Sequence, residues 1–145
     1  MRMNCCRLTN FLPNPLIASY WILLAVPWDC APNCKCSDIR TEKDLLSFAK
    51  YQRRFIAQAV QLLKPEGRLV YSTCTLHARE NEGMVQYILD NHADMHLLPI
   101  AIPLGSSVLP GHGISLEDCA KIKRFDPTVA QDTMGFFVAS FAKRK

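Results

Sequence analysis

No apolar run in this 145-residue sequence has the length that a membrane crossing requires. Leu16 to Val26 (LIASYWILLAV) is uncharged but falls well short of the ~20 residues needed. It follows Arg2 and Arg7 in the manner of a secretion signal, yet Val26-Pro27-Trp28 stands where a small-residue cleavage site is needed. Internal repeats and low-complexity tracts are missing. So is a strong charge imbalance: 17 Lys and Arg against 13 Asp and Glu leave +4, which permits a phosphate-bearing partner without requiring one. Cysteine is sparse through most of the chain. Of the seven, Cys5, Cys6, Cys30, Cys34 and Cys36 crowd the first quarter, and only Cys74 and Cys119 lie beyond. The odd count and uneven spacing argue against a disulfide framework, and hence against a secreted Cys-rich protein. Cys30, Cys34 and Cys36 lack a fourth ligand in pattern, so no metal site is expected.

With 49% hydrophobic and 21% charged residues, the chain reads as one globular domain. Tyr20 to Leu24 reads as a buried strand. A helix begins at Thr41, which is placed to cap it with Asp44 three residues on. Its apolar face is Leu45, Leu46, Ala49, Ile56, Ala59, Val60 and Leu63. Lys64-Pro65-Glu66-Gly67 ends the helix in a turn. Arg68 to Ser72 is a buried strand, Glu80 to Asn91 a helix, and His96 to Ile102 a strand that Pro99 demotes to an edge. A loop from Pro103 leads to a short helix over Ser115 to Lys123, and Gly135 to Ala142 forms a last apolar strand. This alternation predicts an α/β layered sheet.

Cys74 in Tyr71-Ser72-Thr73-Cys74-Thr75 falls just past a predicted strand's C-terminal end, where α/β sheets gather their chemistry. A lone cysteine there is by itself more simply a small buried residue. Glu80-Asn81-Glu82 then opens the next helix. The helix–turn–strand segment Leu62 to Val70 resembles that of Rossmann-like methyltransferases. Tyr-Ser-Thr-Cys-Thr, a short loop and Glu-Asn-Glu resemble the signature of Sun-domain RNA (cytosine-5) methyltransferases. Arg124-Phe125-Asp126-Pro127 and Asp132-Thr133-Met134-Gly135-Phe136-Phe137-Val138-Ala139 extend the likeness over roughly Thr41 to Lys143. Thr128 stands where many members have His, which is similar to the tRNA-modifying branch, whose target is a cytosine in the acceptor stem.

The resemblance implies the C-terminal portion of a Rossmann-like sheet with an antiparallel final strand, S-adenosylmethionine as cofactor, RNA and in particular tRNA as partner, and Cys74 as nucleophile. The thiolate adds to cytosine C6, C5 gains electron density and takes the methyl group, a base removes the C5 proton, and the thiol leaves. Cysteine suits the task because an ordinary thiol, pKa about 8.5, is already partly ionised near neutrality.

The family's Asp-Ala-Pro-Cys-Ser-Gly motif and its Gly-rich cofactor loop have no counterpart here. Read one frame over, Trp28–Asp29 encodes Gly, Asp29–Cys30 encodes Leu, Cys30–Ala31 permits Arg, Ala31–Pro32 permits Pro, and Asn33–Cys34 encodes Leu. The result is similar to the family's Gly-x-Arg-Pro-x-Leu. The expectation is therefore a divergent segment over 1–40, out of frame from about Ala25 to Cys36, followed by the C-terminal half of the catalytic domain over 41–145. These residues alone are expected not to methylate RNA. Lys50, Arg53, Arg54, Lys121, Lys123 and Arg124 are the candidate RNA contacts, with an ordinary solvated surface as the plain alternative. An intracellular, cytoplasmic location is expected. The rival function is an RNA-binding fragment without catalysis.

Overall fold

The computed structural model describes residues 17–24, 42–108, 111, 113–127 and 135–145. The elements in order are β1 (Ile17–Leu24), α1 (Glu42–Leu62), β2 (Leu63–Thr73), α2 (Glu82–Asn91), β3 (Met95–Leu98), α3 (Leu116–Lys121), β4 (Lys123–Phe125) and β5 (Phe136–Lys143). The Thr41 cap and the proposed out-of-frame stretch lie outside the described residues.

The sheet has five strands in the order β1-β2-β5-β3, with β4 also paired to β5. β1 and β2 are parallel, and α1 is the crossover that a parallel pair needs. β5 runs antiparallel to β2, β3 and β4. The last strand therefore inserts between two parallel strands, and the sheet is the Rossmann-like one with an antiparallel final strand.

Strand alternation divides the sheet into two faces. Leu69, Tyr71 and Thr73 of β2, Phe137, Ala139 and Phe141 of β5, and Met95 and Leu97 of β3 are all buried. The register aligns them, with Tyr71 opposite Ala139 and Phe141 between Leu69 and Leu97. Ala49, Ile56, Ala59 and Val60 of α1 and Met84, Val85 and Ile88 of α2 complete this core. Each large side chain among them contributes roughly 1.5–3 kcal/mol by leaving water.

Leu46, expected on the apolar stripe of α1, is instead 53% exposed, and the polar Gln52 is buried on that stripe. Gln52 is admitted because its amide finds hydrogen-bond partners in the core (described below). The end of α1 is satisfied from a distance: Lys143 Nζ donates to the carbonyls of Val60 at 2.8 Å and Leu63 at 3.0 Å.

The turn after α1 is looped out of the ladder, since Leu63 pairs with Ile17 and the next pairing is Arg68 with Ser19. Glu66, not Gly67, takes the left-handed backbone, with φ 63°. Gly67 is required for space, because a Cβ there would stand 2.7 Å from Leu63 Cδ1 and 2.8 Å from the Lys64 carbonyl oxygen.

Several boundaries differ from expectation: β1 begins at Ile17 rather than Tyr20, and β2 runs over Leu63–Thr73 rather than Arg68 to Ser72, taking in the expected turn. β3 stops at Leu98, so Pro99 to Ile102 is not strand; Pro99 has no N–H to offer a ladder. β3 does sit at the sheet edge. α2 starts at Glu82 rather than Glu80, because residues 78–81 form a turn. The third helix spans only Leu116–Lys121, capped by the Ser115 hydroxyl, which accepts from the Asp118 N–H at 3.1 Å. β4 escaped notice because three residues are too few to show a period. It is held by β5 on one side, while Arg124 and Ser106 exchange backbone bonds of 2.8 and 2.9 Å.

Candidate active site around Cys74

Cys74 follows the last residue of β2 directly and is half-buried. Strand β2 is internal, flanked by β1 and β5. The segment from Cys74 to Asn81 returns the chain to α2 and is tied to the rest of the protein largely by side chains.

Glu80, Asn81 and Glu82 are all buried, at 0%, 0% and 3% exposure, and each makes a different connection. The Glu80 carbonyl accepts from the Tyr71 hydroxyl at 2.5 Å, and its carboxylate accepts from Gln52 Nε2 at 3.3 Å. Gln52 Oε1 lies 3.5 Å from the same hydroxyl. Burial, with the Glu80 charge nearby, pushes the Tyr71 phenol well above its ordinary value, so it remains a donor. Asn81 occupies the N-cap position of α2 but makes no side-chain cap bond. Such a bond is ordinarily worth ~1 kcal/mol. Its amide turns instead to β2: Oδ1 accepts from the Thr73 hydroxyl, and Nδ2 donates to the Thr75 carbonyl at 2.8 Å. Glu82 pairs with Arg124, Nη1 to Oε1 at 2.7 Å.

Arg124 also donates to the Leu76 carbonyl at 2.5 Å and to Asp126 at 2.9 Å. Burial opposes its charge, but Asp126 and Glu82 outweigh that and hold its pKa above the ordinary value. Leu76 is approached from a further side by Gly135, where φ is 91° and a Cβ would lie 2.9 Å from Leu76 Cδ2. Within the loop, the His77 N–H donates to Thr75 Oγ1 at 3.1 Å, and the turn closes through Glu80 N–H to the His77 carbonyl at 3.0 Å. Cys119, the other thiol among the described residues, is buried; burial first, then the charges of Asp118 and Glu82, push its pKa up.

The candidate RNA contacts fall into distinct settings. Lys50, Arg53 and Arg54 are exposed on α1, and Arg53 stacks 4.9 Å from the centre of the Tyr87 ring. Lys121 is bound at 2.9 Å to both Glu117 and Asp118. Lys123 is half-buried in β4, and Arg124 is engaged within the protein as described. The roles of Tyr71, Gln52, Asn81 and Arg124 in fixing the loop were not read from the sequence. A polar Gln52 on an otherwise apolar helical stripe was the available signal for a buried bond.

The opposite face of the sheet carries an apolar groove of about 530 Å³, lined by Val70, Ser72, Phe125, Phe136 and Val138 among others. The carboxylates beside the end of β2, Glu80 and Glu82, are already held by Gln52 and Arg124. These two buried carboxylates, each engaged within the protein, therefore do not fit S-adenosylmethionine. Among them no helix is long and apolar enough to cross a membrane, and no group of three His, Cys, Asp or Glu is placed to hold a metal ion.

Parallel strands with an inserted antiparallel last strand, and a cysteine just beyond the end of an inner strand, match a Rossmann-like methyltransferase sheet. Residues 25–142 match the model of the family described as 16S rRNA methyltransferase RsmB/F, and the chain belongs to that family of S-adenosylmethionine-dependent RNA cytosine-5 methyltransferases. It is similar to tRNA (cytosine(72)-C(5))-methyltransferase NSUN6 of Homo sapiens, 34% identical over 137 residues, covering 79% of this chain and 29% of that protein. It is 42% identical over 135 residues to tRNA (cytosine(72)-C(5))-methyltransferase of Pyrococcus horikoshii, covering 92% of this chain and 32% of the relative. The structure of NSun6 from Pyrococcus horikoshii with SFG, an analogue of S-adenosylmethionine, superposes with a TM-score of 0.62 at 37% identity, over 85% of this chain and 29% of that one. The chain thus spans about a third of the length of these relatives.

Proposed function

We propose that this chain carries the nucleophile-bearing part of a tRNA cytosine-5 methyltransferase, with Cys74 attacking the target base. The observation that carries the reading is the position of Cys74: immediately beyond the end of internal strand β2, in a loop that Glu80, Asn81 and Glu82 fix to the core. Addition of the thiolate to cytosine C6 forms the C–S bond and leaves C5 as an enamine carbon. After substitution at C5, loss of its proton and departure of the thiolate restore the aromatic ring. The identity to two tRNA (cytosine(72)-C(5))-methyltransferases supports tRNA as substrate. Exposed Lys50, Arg53 and Arg54 on α1 are the proposed phosphate contacts. Lys121 and Lys123 are weaker candidates, the first because it is ion-paired.

The test uses the 145-residue chain with tRNA containing 5-azacytosine. The expected result is a denaturation-resistant protein–RNA adduct that disappears in Cys74→Ala. No methyl is expected to pass from tritiated S-adenosylmethionine to ordinary tRNA, since the buried carboxylates beside the end of β2 do not fit the donor. An adduct that survives in Cys74→Ala would refute the nucleophile assignment, and Cys74-dependent methyl incorporation would refute the absence of a donor site. Retention of RNA with no adduct in either protein would favour the binding-only reading.

A further inference from the structure

We infer that Asn81 is the positioning residue of Cys74, holding the Thr73 side chain on one side of the thiol and the Thr75 backbone carbonyl on the other through one side-chain amide. The inference rests on the reading of Cys74 as nucleophile. Its observations are geometric. Asn81 is fully buried and sits at the N-cap of α2, yet its side chain caps nothing. Oδ1 accepts from the Thr73 hydroxyl, one residue before Cys74, and Nδ2 donates to the Thr75 carbonyl at 2.8 Å, one residue after it.

Those two bonds require a donor and an acceptor on the same short planar group. Among the side chains, only an asparagine-length amide supplies both at this reach. Aspartate offers acceptors alone, so it would face the Thr75 carbonyl with a second acceptor and bring a negative charge beside the thiol. Serine or threonine would cap α2 but fall short of the strand. The backbone around Asn81 is itself anchored, because its N–H donates to the Ala78 carbonyl at 3.2 Å and its carbonyl accepts from Met84 at 3.0 Å and Val85 at 3.2 Å. The amide thus transmits the placement of α2 to the residues that flank Cys74, and the thiol is presented in one backbone geometry rather than in the several that a free loop would sample.

The experiment follows alkylation of Cys74 by iodoacetamide from pH 6 to 9 in the full chain, read on the Cys74 peptide by mass spectrometry. Thermal melting is recorded alongside. Asn81→Asp should slow alkylation at neutral pH at least about threefold and move its pH profile upward, because negative charge disfavours the thiolate. Thr73→Val, which removes one of the two bonds without adding charge, should change the rate in the same direction. Thr73→Ser keeps the hydroxyl and should restore it. Unchanged profiles in Asn81→Asp and Thr73→Val, whatever their melting temperatures, would overturn the inference. If Asn81→Asp does not fold, the Thr73→Val and Thr73→Ser pair decides alone. Adduct formation with 5-azacytosine tRNA separates the two claims. Failure of the wild-type chain to form it refutes Cys74 as nucleophile, while an adduct formed equally fast by Asn81→Asp refutes positioning and leaves the nucleophile standing.

Discussion

The irregular start of β2 over Lys64–Gly67, next to α1, and the loop Cys74–Asn81, leading to α2, lie at opposite ends of the same strand, but different physics holds each. The first is a matter of backbone stereochemistry. Glu66 sits in the left-handed region and Gly67 has no room for a Cβ, while the side chains of Pro65 and Glu66 remain in water. The second is built from side chains reaching in from elsewhere: Tyr71 and Gln52 hold Glu80, Asn81 holds Thr73 and Thr75, and Arg124 holds Leu76 and Glu82. A connection that only reverses the chain is settled locally. The connection that carries Cys74 is over-determined by the tertiary structure, at the expense of burying two carboxylates and two amides.

Breaking the loop at its most distant support should have the largest effect. Arg124→Ala leaves the Glu82 carboxylate, 3% exposed, without its cation and the Leu76 carbonyl without its donor. The expected loss is on the order of 3 kcal/mol in chemical denaturation. Glu82→Gln in the Arg124→Ala background should recover part of it, because the uncompensated buried charge is gone. Equal stability of the double and single variants would show that the ion pair contributes little.

The turn should respond to a change of a single methyl group. Gly67→Ala brings a Cβ to 2.8 Å from the Lys64 carbonyl oxygen, a backbone atom with little freedom to retreat. Destabilisation of about 1–3 kcal/mol is expected, with the reactivity of Cys74 at the far end of β2 unchanged. A change in Cys74 alkylation by this variant would erase the distinction between the two connections.

The smallest expected effect has the opposite sign. A non-glycine residue in the left-handed region costs roughly 1–2 kcal/mol, and glycine gives back up to about 1 kcal/mol of that through its greater unfolded-state entropy. Glu66→Gly should therefore stabilise the chain by about 0.5–1 kcal/mol, since the Glu66–Lys145 contact at 3.4 Å joins two exposed side chains and adds little. A lowered melting temperature would mean that the left-handed residue is held by something other than its own backbone.

Local signals carried much of the fold. The helical stripe of α1, the Pro–Glu–Gly stop, the short apolar run of β2 and the position of Cys74 beyond it were all legible, because each depends on neighbours a few residues away. Where local reading went astray, a distant contact was responsible. Leu46 looked like core and is exposed, while Gln52, to which no role was assigned, is buried against Tyr71 and Glu80. β4 was invisible because its three residues become a strand only by pairing with β5 and Ser106. Arg124 looked like one more basic surface residue and lies inside an ion pair.

What the sequence determined by itself is the order of the helices and of the strands other than β4, and the proximity of the thiol to Glu80-Asn81-Glu82, since these lie within one strand-to-helix connection. Only the tertiary structure decided that the last strand enters between β2 and β3, and it thereby brings Arg124, carried on β4 beside that strand, to residues 42 and 48 positions earlier. The reason is that hydrophobic period and turn chemistry act over a few residues. The fixing of the Cys74 loop depends instead on which strand lies beside which, and that is set by burial of the whole face formed by Tyr71, Phe137, Phe141 and the two helices.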